Sequence, residues 1–285
     1  MSLLNRTLDL IEEAAQIPSF SSFEERIHAF ISSVSDGIPD CKSERIQTRN
    51  ILLKIPGKKS GRLALTAHLD KINHFGEEPP ARLPFKRTDE KLTGQLDNTA
   101  GIGIVLALAE ASQNKTWPEL LILLSEMEES KGLKEHPHLL RNGGSNLHHG
   151  MGAERLAHHL IETGLLPEAV ITIDTTPLFK GENGCAVYSR HWEFTNTSPT
   201  ENEIHKTAQL VERIQSVDSD VLHRNNTNDY LTYGKILNTK TDRAIPSIAL
   251  EPAIFPYHTQ NEAVFVDDIN RVLNIMQTLL DHWGA

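Results

Sequence analysis

Five short runs rich in Leu, Ile and Val, each bounded by Gly or Pro, punctuate the sequence at residues 50–55, 63–67, 120–124, 169–173 and 247–250. Runs of this length without polar alternation suit strands buried on both faces, which in a mostly parallel sheet are covered by helices on each side. Helical patterns lie around them. Leu4, Leu8, Ile11 and Ala15 recur at three-to-four spacing until Pro18 stops the pattern. Ser22 with Glu25 forms a capping-box pattern ahead of Ile27, Phe30, Ile31 and Val34, and Gly37 and Pro39 end that helix. Residues 99–112 predict a long helix, and Ile269, Val272, Leu273, Ile275 and Met276 mark the face of a C-terminal one. The expected fold class is α/β, a three-layer α/β/α domain with a mixed, mostly parallel sheet.

With 39 % hydrophobic residues the chain can build a full-sized core, and no repeat or composition break divides it, so residues 1–285 are expected to form a single domain. The formal charge of −10 argues against nucleic acid and anionic membranes as partners. Cys41 and Cys185 are too few for a disulfide framework and lack metal-ligand spacing, which fits reduced thiols. Asp9, Glu12 and Glu13 interrupt the apolar residues of the N-terminus, and no stretch approaches the roughly 18 apolar residues of a membrane span. Cytoplasmic residence is the expectation. Two connections break the strand-helix rhythm, residues 71–95 and 131–152, both turn-rich and weakly periodic. Loops of such length tend to be functional or mobile.

Polar clusters sit where the apolar runs end, the place where open α/β sheets bind ligands. They are TAHLD (66–70), GQLDNTAG (94–101), SEMEES (125–130), TIDTTP (172–177) and YHTQNE (257–262). His68 and Asp70 are two apart, so on a strand they share a side, and the Asp can hold one imidazole nitrogen while the other binds metal. A plain polar pair is the alternative. Asp97 precedes the helix that starts near Thr99, and taken alone it reads first as that helix's N-cap. Gly101 and Gly103 suggest a dinucleotide fingerprint, but Leu106 stands where its third glycine belongs.

Glu128 and Glu129 are adjacent carboxylates at the end of a buried strand, where they repel unless a cation or a shared proton compensates. Asp174 repeats this arrangement after VITI, and His258 lies in a Pro-Tyr-His turn. Two histidines and several carboxylates from separate strand ends suit zinc, cobalt or manganese, and a pair of ions better than one. HExxH, GxSxG and P-loop signatures are absent from the sequence.

The order His-x-Asp, Asp-Asn, Glu-Glu, Asp, His resembles the co-catalytic zinc aminopeptidase superfamily, which includes leucyl and glutamyl aminopeptidases and related carboxypeptidases and deacylases. The similarity runs from IPSFSSFEERI through TKTDRAIPSIALEP to YHTQNE. It implies that His68, Asp97 and Asp174 hold one divalent ion and that Asp97, Glu129 and His258 hold the other, with Asp97 bridging. It further implies Glu128 as general base, Asp70 as the group orienting His68, and a non-prolyl cis peptide between Asp97 and Asn98. Zinc is the expected metal, with cobalt and manganese as alternatives. Only 29 residues separate His68 from Asp97 and 84 separate Asp174 from His258, so the large insertions of some subfamilies are missing.

Activity is expected to be removal of N-terminal residues from peptides. The alternatives are a metal-dependent deacylase of N-acyl amino acids or small amides, and a non-catalytic binding module on the same fold. A carboxylate placed for a free amine would favour the aminopeptidase, and an Arg placed for a carboxylate the deacylase. The excursion at residues 131–153, with its flanks, carries His136, His138, His148, His149, His158 and His159. It reads either as a solvated surface segment or as a lid whose histidines meet substrate. Oligomeric state is left open by the sequence.

Overall fold

A computed structural model of the chain describes residues 1–284; Ala285, the last residue of the expected domain, lies outside the described residues. Helices α1 (Leu3–Ala15) and α2 (His28–Ser35) precede strands β1 (Lys42–Ile46), β2 (Asn50–Ile55) and β3 (Arg62–His68). A short hairpin of β4 (Lys86–Arg87) and β5 (Lys91–Gly94) leads to α3 (Thr99–Ala111) and β6 (Glu119–Ser125). There follow α4 (Ser130–Glu135), α5 (Met151–Glu162), β7 (Ala169–Ile173), β8 (Cys185–Tyr188), α6 (Trp192–Thr195) and α7 (Glu201–Val217). The chain closes with β9 (Leu222–Arg224), α8 (Asp229–Thr239), β10 (Ser247–Pro252), β11 (Glu262–Phe265) and α9 (Val266–Asp281).

Eight strands form one sheet in the order β1-β2-β6-β3-β7-β10-β8-β9, and β11-β5-β4 form a small antiparallel sheet. The central strands β6, β3, β7 and β10 run parallel, while β1, β2 and β8 pair antiparallel with their inner neighbours. This is the mixed, mostly parallel three-layer architecture expected from the five apolar runs, each of which became one of the inner strands.

Alternation along those strands divides the core in two. Leu63, Leu65 and Ala67 of β3 with Leu120, Ile122 and Leu124 of β6 pack towards α1, α3 and α9. Ala64, Leu121, Leu123 and Val170 pack on the other side against Leu156 and Leu160 of α5 and Tyr233 and Leu237 of α8. Helix α3 is buried from Thr99 to Ala109 because it lies between the sheet and α1. Its two glycines serve this packing: a Cβ at Gly103 would stand 2.3 Å from the Ile11 side chain, and one at Gly101 2.3 Å from the Ile173 carbonyl oxygen.

Two local expectations are corrected. Ser22 and Glu25 do not form a capping box: Ser22 takes a left-handed φ of 69°, and the chain enters α2 through a 3-10 turn over Glu24–Ile27 without a side-chain cap. The Ser22 hydroxyl accepts instead from the Arg141 N–H at 3.0 Å, and Glu25 pairs with the Arg141 guanidinium. The N-cap of α3 is Asn98, whose side chain accepts from the Gly101 N–H at 2.9 Å; Asp97 is left free for other work. No helix among the described residues is long and apolar enough to cross a membrane.

Candidate active site

Strand register assembles the first part of the site. Thr66 lies opposite Thr172 between β3 and β7, and His68 opposite Ser125 between β3 and β6. Leu250 lies opposite Ile173 between β10 and β7. Carried on past these pairs, by two residues between β3 and β7 and by one between β7 and β10, the parallel register lines up Ser125, His68, Asp174 and Glu251 across the strand ends, on the sheet face that carries α5 and α8. The N-terminal turn of α8 covers this row: Ser125 Oγ donates to Asp229 Oδ2 at 2.5 Å, and Asn228 Nδ2 to Glu251 Oε1 at 2.5 Å.

The remaining side chains arrive from loops after the strands. Asp97 presents Oδ1 to His68 Nε2 at 3.2 Å and Oδ2 to His258 Nε2 at 3.5 Å. His68 Nε2 also lies 3.6 Å from Asp174 Oδ1 and 3.9 Å from Glu128 Oε2, and His258 Nε2 lies 3.4 Å from Glu129 Oε2. Three donor groups result, His68–Asp97–Asp174, Asp97–Glu129–His258 and His68–Glu128–Glu129, each with ligand atoms within 4.8 Å of one another. The Asp97–Asn98 bond is cis. Of the three acids in SEMEES, Glu126 turns away to Arg49, Asn50 and Arg155 and belongs to the framework.

Burial concentrates charge here. Desolvation pushes the Glu128 carboxyl well above the usual range, helped by Asp174, Asp229 and Asp97 and opposed by His68. Glu129 is raised by burial, then by Asp97 and Glu128, and Asp174 is pushed up to about 6 by burial. Burial by itself disfavours the His68 cation, yet the carboxylates of Asp174, Asp70 and Asp97 outweigh it and raise that imidazole's pKa well above its ordinary value. Oxygen and imidazole donors in these three groups, with no thiolate, form a donor set suited to divalent zinc.

Asp70 is fully buried and works on both sides of the site. His68 Nδ1 donates to the Asp70 carbonyl oxygen at 3.0 Å, with carboxylate Oδ1 at 3.4 Å. The same carboxylate accepts the N–H groups of Glu128 at 3.0 Å and Glu129 at 3.1 Å, and the Ser21 hydroxyl at 2.8 Å.

Two neighbours escaped the sequence reading. Glu262 accepts the N–H groups of Leu96 and Asp97 at 2.7 and 3.0 Å and that of Thr259 at 3.3 Å, so one carboxylate ties the Asp97 segment to the His258 loop. Its partners at Leu96 and Asp97 are backbone groups distant in sequence, which no motif reveals. The Tyr257 ring stacks on His258 with centroids 3.6 Å apart. Partial burial, then Asp97, Glu129, Glu128 and Asp174, hold its phenol proton on, although the residue as a whole is 37 % exposed. Position next to a candidate ligand was the available signal.

The excursion folds into α4, short 3-10 turns and the start of α5. His148 pairs with Glu154 at 2.9 Å on the surface, His159 lies 3.5 Å from Glu44, and the His136 and His138 rings meet edge to face. Of these histidines only His149 reaches the carboxylate cluster, its Nδ1 bonding the backbone carbonyl of Glu128.

A family model described as peptidase family M28 matches residues 50–279, and the chain belongs to that family. It is thus a metal-dependent peptidase of the kind expected from the ordered motifs. No curated protein matches the sequence. Among solved structures, the TET aminopeptidase of the marine sediment archaeon Thaumarchaeota archaeon shares 11 % identity at a TM-score of 0.70, over 99 % of this chain and 98 % of that one. The TET1 peptidase of Pyrococcus horikoshii shares 12 % at 0.64, over 97 % and 99 %. A tripeptidase of Staphylococcus aureus shares 14 % at 0.63, over 98 % of each chain. At these identities the likeness is one of fold.

Proposed function

We propose that the chain is an aminopeptidase that holds two zinc ions, one by His68, Asp97 and Asp174 and the other by Asp97, Glu129 and His258. The observation that carries this is Asp97, whose two carboxylate oxygens face two different histidines, each within reach of a further carboxylate. Bound ions would polarise the scissile carbonyl and acidify water. Glu128, beside both triads and raised in basicity by burial, takes the proton from the attacking water and passes it to the departing amine. The Tyr257 hydroxyl donates to the oxygen that gains charge as the carbonyl carbon becomes tetrahedral. Asp70 positions His68 and, through two N–H bonds, the Glu128–Glu129 turn. The similarity in fold to proteins described as aminopeptidases and a tripeptidase supports an N-terminal cut on short peptides.

The test is metal content by elemental analysis, with hydrolysis of aminoacyl chromogenic amides before and after chelation and zinc restoration. Two ions per chain and chelator-sensitive release are expected. Glu128→Gln should keep its metal and lose about 10²–10⁴-fold in kcat; near-normal turnover would remove the base assignment. Two ions without release of any aminoacyl amide would shift the reading to N-acyl amides.

A further inference from the structure

Beyond the ligand row, Glu251 stands without a task. The β7–β10 register places it beside Asp174, on the same face and one strand over, at an interstrand spacing of about 4.8 Å. It is 2 % exposed, yet it joins none of the three donor groups, and among the described residues no Lys, Arg or His lies within ion-pair distance of it. The hydrogen bond it receives comes from Asn228. Burial, followed by Asp174, Asp97 and Glu128, pushes its pKa well up. A buried carboxyl without a cationic partner carries a large desolvation penalty.

In the β8–β10 register Glu251 lies opposite Ala186. Tyr188 and Tyr230 pack with Ala186 and Ala249 in a small buried cluster on that side. Tyr230 is fully buried and its hydroxyl has no hydrogen-bond partner, while burial, Glu251, Glu193 and Tyr188 keep that phenol protonated. The Tyr188 hydroxyl is 2.6 Å from Thr176 Oγ1. Asn228 fixes the geometry: its Oδ1 accepts from the Tyr230 N–H at 3.0 Å while its Nδ2 holds Glu251.

We propose that Glu251 is the specificity-determining end of a pocket that binds the cationic side chain of the substrate's first residue, so that peptides beginning with Lys or Arg are preferred. This rests on the aminopeptidase reading above. The substrate's α-nitrogen is bonded to the carbon next to the scissile carbonyl and falls among the carboxylates that surround the ligands. A terminal nitrogen five bonds (Lys) or six bonds (Arg) out from that carbon reaches the next strand. The tyrosine rings face its methylene stem and the charge, and the vacant Tyr230 hydroxyl and Glu251 face its N–H groups.

Lysyl and norleucyl 4-nitroanilides, alike in stem and differing in the terminal ammonium, test this on the zinc-loaded enzyme, with Glu251→Gln and Glu251→Leu. The wild type should favour the lysyl substrate in kcat/KM by about ten- to a hundredfold. Glu251→Gln should lose that preference mainly through the KM of the lysyl substrate, and Glu251→Leu should invert it. No lysyl preference in the wild type, or one that Glu251→Gln preserves, overturns the proposal. An equal loss on both substrates assigns Glu251 to the α-amine and also overturns it.

Calorimetric binding of free lysine against norleucine provides a readout without turnover. If the wild type cleaves no aminoacyl amide, the aminopeptidase reading fails by itself. A lysine preference lost in Glu251→Gln would then still uphold the pocket, and its absence would remove it.

Discussion

The two long connections, residues 71–95 and 131–152, look alike in sequence and are held in opposite ways. The first starts at Lys71, fully buried, whose Nζ donates to the carbonyls of Ala14 and Ile17 and to Ser19 Oγ at 3.1, 2.6 and 3.0 Å. It continues through β5, paired with β11, to Gln95, which donates to the Ile72 carbonyl at 2.7 Å, and its exit is bound by Glu262. The second strings together left-handed residues, Asn142, Gly143, Gly144, Asn146 and Gly150, and leaves most side chains exposed. It is fastened at Arg141 to Ser22, at Gly150 to the Met127 carbonyl at 2.8 Å, and at His149 to Glu128. Weak periodicity thus marks both a rigid frame for Asp97 and a rim around Glu128. What separates them is where their backbone donors and acceptors find partners.

The largest effect that can break this contrast is expected from the frame. Glu262→Ala leaves the buried N–H groups of Leu96 and Asp97 without their acceptor, at about 1–3 kcal/mol each. We expect loss of bound metal and a drop in kcat/KM of at least about a hundredfold, with Glu262→Gln milder because one acceptor oxygen remains. Full metal content in Glu262→Ala would show that the frame does not hold the ligands.

Lys71 sharpens the contrast through pH. Burial lowers its pKa to about 7, against the opposing pull of Glu262 and Asp70, while the unfolded chain keeps a value of about 10.4. Between these two values the unfolded state holds more protons, so the stability linked to Lys71 rises as pH climbs from 7 towards 10. Denaturant unfolding of the wild type should therefore gain on Lys71→Met across that window; parallel curves would mean that the buried amine keeps its proton.

The smallest effect belongs to the rim. His149→Ala should shift KM by about three- to tenfold through the loosened Glu128 carbonyl, whereas His148→Ala, which breaks only a surface pair with Glu154, should behave as wild type. Equal effects of the two would mean that the whole excursion, and not His149, meets substrate.

The inner strands were legible because burial on both faces demands unbroken apolar runs. Edge strands were not: β1 is KSERI with four exposed residues, and β9 is three residues of mixed character. The five expected ligands and Glu128 were readable from their order in the chain, and the structure brings all six together with Asp70. Ser22 and Glu25 misled because a cap pattern is local, whereas their partner Arg141 is more than a hundred residues away. Glu251 and Glu262 stayed hidden for the same reason. Each acquires meaning from register or from backbone donors that only the folded sheet supplies.

The Glu262 bond to Leu96 closes 166 residues of chain, and even the His68–Asp97 contact closes 29. Contacts of that span carry a loop-closure entropy that local helices and turns do not. In kinetic terms we expect the carboxylate cluster to be a late arrival. On that expectation its acids stay apart, hydrated and independently ionised until late, so their mutual repulsion opposes the last step of folding, in which the donor groups also come together.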